Sequence, residues 1–202
     1  MSPRLRRLAA TALGCGVVLS AAPALAHGSA AMGELYSGML QPVLHFESLL
    51  PIVALALWSA QQPETLIWQL PLAFAGAALL AALLGLFSVA VPGAAQVQSA
   101  AMLGFGVLVA AQRRLPAPLA LGLAGIAGLA QGYVGTFGEP AAAKSPVLYV
   151  TGFAIGLALL FFHIENLAVR ARRFWMQIGL RVLGSWVAAV GMLISVLALR
   201  QP

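Results

Sequence analysis

The stretch from Gln41 to Trp58 reads QPVLHFESLLPIVALALW. It is apolar enough to enter a lipid bilayer, but it contains His45, Glu47 and Ser48 close together. An ionisable side chain costs about 3 kcal/mol in the centre of a membrane on insertion scales, so such residues usually face the interior of a helix bundle or a wet cavity. The stretch therefore predicts a membrane-spanning helix with a polar, functional site.

The composition of the whole chain agrees with a membrane protein. Of its 202 residues, 61% are hydrophobic and only 8% are charged, whereas a soluble domain has about 25% charged residues. The net charge of +6 comes from short basic clusters between apolar runs, which set membrane topology and do not form a nucleic-acid-binding face. The single cysteine, Cys15, excludes an internal disulfide and a cysteine metal cluster.

Residues 1–26 have the layout of a secretory signal peptide. A basic start and an apolar middle are followed by Ala24-Leu25-Ala26, an A-x-A cleavage site. We expect cleavage after Ala26. The alternatives are a retained first transmembrane helix, for which the apolar core is short, and a lipoprotein processed at Cys15. Cleavage makes His27 the N-terminus, which either chelates a divalent cation through its amine and imidazole or is simply a flexible end.

The mature chain, residues 27–202, is predicted to form one domain, an all-α bundle of about six transmembrane helices. Each apolar run is near the length of about 20 residues that a helix needs to cross the bilayer core. Residues 27–40 are small and polar, and we expect them to lie outside the membrane. The predicted spans cover about 42–60, 69–91, 95–111, 116–134, 146–169 and 174–199.

Basic residues predict the orientation of the bundle. If His27 is outside, the loops after spans 1, 3 and 5 face the cytoplasm. The arginines that follow spans 3 and 5 are Arg113, Arg114, Arg170, Arg172 and Arg173. The positive-inside rule and the signal peptide therefore agree. We expect a multi-pass protein of the bacterial inner membrane with both mature termini in the periplasm.

The first span offers a set of candidate metal ligands. On a straight helix Gln41, His45 and Ser48 follow one another at i, i+4 and i+7 and share one face. Glu47 points elsewhere, unless a proline bends the helix. A bent first span would gather imidazole, carboxylate, hydroxyl and freed backbone carbonyls around one cation.

The fifth span repeats this theme with His163 and Glu165. The segment His163-Ile164-Glu165-Asn166-Leu167 echoes the pattern of the first span. His163 lies about 25 Å into its span at 1.5 Å per residue. We therefore expect the polar residues of spans 1 and 5 to form two separate cation sites along a permeation path rather than one coordination sphere. The alternative is that Glu165 pairs with Arg170 or Arg172 at the membrane boundary.

The order of these features resembles a known family. The predicted signal-peptide cleavage site lies just before His27, and the first span that follows contains Pro42, Leu49, Leu50 and Trp58. These residues are similar to the motif H-P-x-x-G-x-D-H-L-L-x-M of the HupE/UreJ family, small bacterial membrane proteins regarded as nickel or cobalt permeases associated with hydrogenase and urease systems. The resemblance covers nearly the whole chain and implies the family's helical-bundle fold and topology.

The departures from the family pattern fall on its metal ligands. Glu47 takes the place of the motif's aspartate, but Gln41 stands for the first histidine, His45 for the glycine and Ser48 for the second histidine. The family's histidine-rich segment near the fourth span is similar to residues 130–135, where no histidine remains. In the following span, the histidine that looks like the family's is His163.

Two functions remain open on the sequence alone. The first is a permease or conduit for a divalent transition metal, with nickel or cobalt implied by the resemblance and no permanently bound cofactor. Imidazole and carboxylate suit several first-row metals, so the residues do not choose among them. The second is a non-transporting membrane subunit that has lost the family's ligands, with a homo-oligomer or a metalloenzyme-maturation protein as partner.

An enzyme is not expected. The sequence contains no Ser-His-Asp, paired-carboxylate or zinc-protease spacing. Its glycine-rich segments lie in or beside membrane spans and favour close helix packing. The expected partners are therefore a divalent metal cation and the lipid bilayer.

Overall fold

The structure, a computed structural model, describes residues 33–87, 91–137, 145–171 and 173–198. All regular secondary structure in these ranges is α-helical. The helices are α1 (Gly33–Leu44), α2 (Phe46–Ser59), α3 (Glu64–Ile67), α4 (Gln69–Gly85), α5 (Ala94–Ala111), α6 (Ala117–Thr136), α7 (Pro146–Arg170) and α8 (Phe174–Ala198). The predicted signal peptide, His27 and Arg172 lie outside the described residues.

Five helical segments are long and apolar enough to cross a membrane. They are Glu64–Gly85, Ala94–Ala111, Ala117–Thr136, Pro146–Arg170 and Phe174–Leu197, and they correspond to predicted spans 2 to 6. The pair α1 and α2 passes the same test as one broken span. The described part of the chain thus confirms the all-α membrane bundle that the sequence predicts.

The first span is broken at His45 rather than continuous. Its two halves, α1 and α2, meet at an angle of 71°. His45, between them, has extended backbone angles of φ −108° and ψ 110°. The sequence predicted one span over 42–60 and a polar segment over 27–40, but from Gly33 onward that segment is helical and packs along α7. Gly38 in that segment lies directly against α7 and allows this close packing.

Glycines bring α1 unusually close to α7. A Cβ added at Gly152 would lie 1.9 Å from the backbone oxygen of Leu35, and one at Gly38 would lie 2.0 Å from the backbone oxygen of Tyr149. Only a residue without a side chain fits at such distances, and small residues are what membrane helices use for close approach. Backbone contact with α7 therefore holds the first half of the broken span in place.

The second half, α2, is the buried centre of the bundle and contacts every other long helix of the described chain. Its residues Ile52, Leu55 and Trp58 are fully enclosed. The Nε1 of Trp58 donates a hydrogen bond to the backbone oxygen of Arg113 at 2.8 Å. Helix α2 thus connects two ends of the molecule, which we call the His45 end and the Arg113 end.

Candidate functional site

The break in the first span lies beside three buried glutamines, which we call the glutamine cluster: Gln41 of α1, Gln98 of α5 and Gln131 of α6. Each is more than nine-tenths buried, and Gln131 is only 1% exposed. Gly135 lies one turn beyond Gln131 on α6. A Cβ added at Gly135 would lie 3.4 Å from the Oε1 of Gln41. Three amides from three helices therefore share one region of an otherwise apolar bundle.

Pro51 connects the broken span to this cluster. A proline has no backbone N–H, so the carbonyl four residues earlier, that of Glu47, has no helical partner. The Nε2 of Gln98 donates to this Glu47 oxygen at 2.7 Å and to the Oε1 of Gln131 at 3.1 Å. Because both acceptors are oxygens, the orientation of both amides is fixed, and the Nε2 of Gln131 points away from Gln98.

Two polar atoms of the glutamine cluster have no hydrogen-bond partner within the described part of the chain. They are the Oε1 of Gln41 and the Nε2 of Gln131, and both are buried. An unsatisfied buried polar group costs about 1–3 kcal/mol, so such groups usually have an ordered water or a ligand as partner. One of these atoms accepts and the other donates, which suits water or a cation that retains water.

His45 and Glu47 lie at the rim of this site with exposed side chains. The Nδ1 of His45 is 3.1 Å from the backbone oxygen of Gln41, so Nδ1 donates there and, in a neutral imidazole, Nε2 would carry the lone pair. Ser48, by contrast, is buried. The prediction that Gln41, His45 and Ser48 share one face is therefore wrong. At the break the side chain of His45 turns outward, whereas those of Gln41 and Ser48 point inward.

In the fifth span the structure separates His163 from Glu165. His163 is exposed, and its Nδ1 is 2.8 Å from the backbone oxygen of Leu159. Glu165 is 2% exposed and accepts a hydrogen bond from the Oγ of Ser59 in α2 at 2.5 Å. Two residues correspond to about 200° around a helix, which explains why the two side chains diverge. The partner of Glu165 in the described chain is thus a serine hydroxyl, and not Arg170.

Two buried polar side chains, Ser48 and Ser59, lie along one face of α2. Ser48 and Ser59 are eleven residues apart, close to three full turns, so they share a face at a separation of about 16 Å. The side chains of Ile52 and Leu55 on the same face are completely buried between them. The polar region at the break and the Ser59–Glu165 pair are therefore separated by an apolar layer.

The predicted ligands do not form a single metal cage. Within the described ranges, no three histidine, cysteine, aspartate or glutamate side chains come together as a metal site. Sequence reasoning missed Gln98 and Ser59, both of which contact predicted positions. In the sequence each of them is a polar residue inside an apolar run. That is weak evidence for a functional contact when the side chain is neutral, because an amide or hydroxyl often forms its hydrogen bonds within its own helix.

Comparison with known proteins gives two matches. The family described as HupE / UreJ protein matches residues 15–194. A relative named Protein HupE, from Rhizobium leguminosarum bv. viciae, is 28% identical over 176 residues, which cover 85% of this chain and 90% of the relative. No solved structure matches the chain. Because the family match spans nearly the whole sequence, the protein belongs to the HupE/UreJ family.

Proposed function

We propose that this protein is a membrane conduit for a divalent transition-metal cation of the nickel or cobalt class, with the broken first span as the outer binding site. The observation that carries the proposal is the 71° break at His45, beside which buried amides have unpartnered atoms. Irregular backbone at membrane depth is tolerated where it lines a cavity, and many transporters place their sites at such breaks. The family consists of permease-like membrane proteins and not of enzymes, in agreement with the sequence prediction.

The rim of the break supplies the groups that would capture the cation. Glu47 and His45 are both exposed there, and carboxylate and neutral imidazole are ligands for divalent first-row metals. Below the rim the cation would meet the neutral glutamine cluster. A neutral site holds a divalent ion less tightly than a carboxylate does, which favours passage over storage.

We place the His45 end outside and the Arg113 end in the cytoplasm of the bacterial inner membrane. This orientation follows the arginine distribution along the sequence and puts both mature termini in the periplasm. It also gives a driving force. A membrane potential moves each elementary charge inward with about 2.3 kcal/mol per 100 mV.

The second candidate function is a non-transporting subunit that assembles with itself or with a metalloenzyme-maturation protein. The observation that favours it is the scatter of the predicted ligands: His45 and His163 are exposed whereas Glu165 is buried, and no metal cage forms in the described ranges. In this role the glutamine cluster would hold only water.

Replacing Glu47 by glutamine tests the choice between these functions. The change keeps the shape of the side chain and removes its charge, so nickel uptake should fall at least tenfold. Because the side chain is exposed, thermal stability should stay the same. The matched control is Glu64→Gln, which alters an exposed carboxylate at the opposite end of the bundle. Equal uptake by both variants and the wild type would favour the non-transporting subunit.

A further inference from the structure

The buried carboxylate of Glu165 lacks a counter-charge in the described chain. Its hydrogen-bond partner is the neutral hydroxyl of Ser59, and the side chain is 2% exposed. A charged group in such surroundings is costly unless it is paired, and intramembrane carboxylates commonly mark ion pathways. The site therefore lacks a positive partner, which a bound cation would supply.

A polar pocket opens next to this pair at the Arg113 end. Its volume is about 350 Å³, and Ala60 and Ala168 lie in its wall. Ala60 follows Ser59 in the chain, and Ala168 lies one turn beyond Glu165 on α7. Sequence neighbours of Ser59 and Glu165 therefore form part of the pocket wall, although neither Ser59 nor Glu165 itself lines the pocket. The polar residues that line it are Gln61, Gln62, Gln112, Arg114 and Gln177.

Some of these lining groups already have partners. The Nε2 of Gln62 lies 3.3 Å from the backbone oxygens of Trp58 and Arg113, and its Oε1 accepts from the backbone N–H of Leu115 at 3.2 Å. Gln112 donates through Nε2 to the Oε1 of Gln177 at 3.1 Å. These amides build the wall of the pocket and are not free to hold an ion.

Gln61 is different, because its acceptor is unused. Its Nε2 donates to the backbone oxygen of Val109 at 3.4 Å, while its Oε1 is buried without a partner in the described chain. The backbone oxygen of Gln61 accepts from the Nε of Arg114 at 3.1 Å, which fixes the loop. Gln61, whose acceptor oxygen is unused, therefore lines a pocket whose wall includes sequence neighbours of Ser59 and Glu165.

We infer that Glu165, Ser59 and Gln61 form a second cation site, from which a divalent metal is released through the pocket at the Arg113 end. The inference rests on the proposed function and adds its inner site. All three groups offer oxygen, which binds nickel or cobalt less strongly than imidazole does. The Ser59 hydroxyl occupies one lone pair of the Glu165 carboxylate, and a bound cation would replace that hydrogen bond.

Uptake kinetics of Ni²⁺ in proteoliposomes test this inner site. Glu165→Gln can still accept the hydrogen bond from Ser59, so the protein should fold. We expect its maximal uptake rate to fall at least tenfold, while the half-saturating Ni²⁺ concentration changes less than twofold because the outer site is intact. Glu64→Gln is the matched control and should behave as wild type. A maximal rate of Glu165→Gln equal to that of the control would overturn the inference.

A gain of affinity provides a second test that does not depend on Glu165 variants. Gln61→Glu adds a carboxylate to the pocket, and in a Glu47→Gln background it should tighten Ni²⁺ binding to the purified protein about tenfold. Unchanged binding would contradict an inner site at this place. If wild-type protein takes up Ni²⁺ and Glu47→Gln does not, while Glu165→Gln is normal, only the inner site is refuted. If the wild type takes up no Ni²⁺, the proposed function itself fails.

Discussion

Replacing Gly152 by alanine should push the first half of the broken span away from α7. The added Cβ would lie 1.9 Å from the backbone oxygen of Leu35, whereas ordinary contacts begin at 3.4 Å, so the helices must separate by about 1.5 Å. Because the opposing atom is backbone, no side chain can rotate out of the way. Overpacking of this kind typically costs about 1–3 kcal/mol.

The matched control is Gly125→Ala on α6. A Cβ at Gly125 meets no atom within 4 Å, and alanine in place of a helical glycine is favourable by up to about 1 kcal/mol. Thermal unfolding in detergent should therefore show a lower midpoint for Gly152→Ala and an equal or higher midpoint for Gly125→Ala.

Thiol labelling would locate the damage. In a background of Cys15→Ser and Ser48→Cys, the new thiol occupies a buried position beside the break. Gly152→Ala should raise its rate of alkylation by a maleimide, because displacement of α1 opens the site, whereas Gly125→Ala should not. A Gly152→Ala protein with the midpoint and labelling rate of the Gly125→Ala control would refute the close packing of α1 on α7.

Two further predictions concern the glutamine cluster and the processing of the chain. Gln98→Leu removes the donor to the backbone oxygen of Glu47 and to the buried Oε1 of Gln131. Leaving the buried amide oxygen unpaired should cost about 1–3 kcal/mol. Thermal unfolding should show the loss, and an unchanged midpoint would contradict these hydrogen bonds. N-terminal sequencing of the membrane-inserted protein should give His27 as its first residue, and a reporter fused after Pro202 should be periplasmic; a retained Met1 or a cytoplasmic reporter would contradict the predicted topology.

The membrane spans could be predicted from sequence because each depends on its own composition. Five apolar runs correspond to helical segments that are long and apolar enough to cross a membrane, although the first of these segments, Glu64–Gly85, begins and ends earlier than the predicted span 69–91. The first span could not be placed in the same way. The helix from Gly33 to Leu44 is short and includes the polar residues Glu34, Ser37 and Gln41, and it packs closely along α7 through Gly38.

The candidate site was only partly visible in the sequence for a related reason. Glu47 and Glu165 stand out because a charge inside an apolar run is rare. Gln98, which donates to the backbone oxygen of Glu47, and Ser59, which donates to the carboxylate of Glu165, are neutral residues on other helices. Tertiary packing decides both contacts. The spacing of Gln41, His45 and Ser48 assumed a straight helix, and a break of 71° invalidates that assumption.

Nickel uptake by the purified wild-type protein tests the central proposal most directly. The protein would be reconstituted into liposomes with an inside-negative potential, and entrapped Ni²⁺ would be measured over time against protein-free liposomes. We predict uptake that saturates with external Ni²⁺, increases with the potential and is lost in Glu47→Gln. Uptake by the wild type no faster than into protein-free liposomes, under the same potential, would contradict a metal conduit.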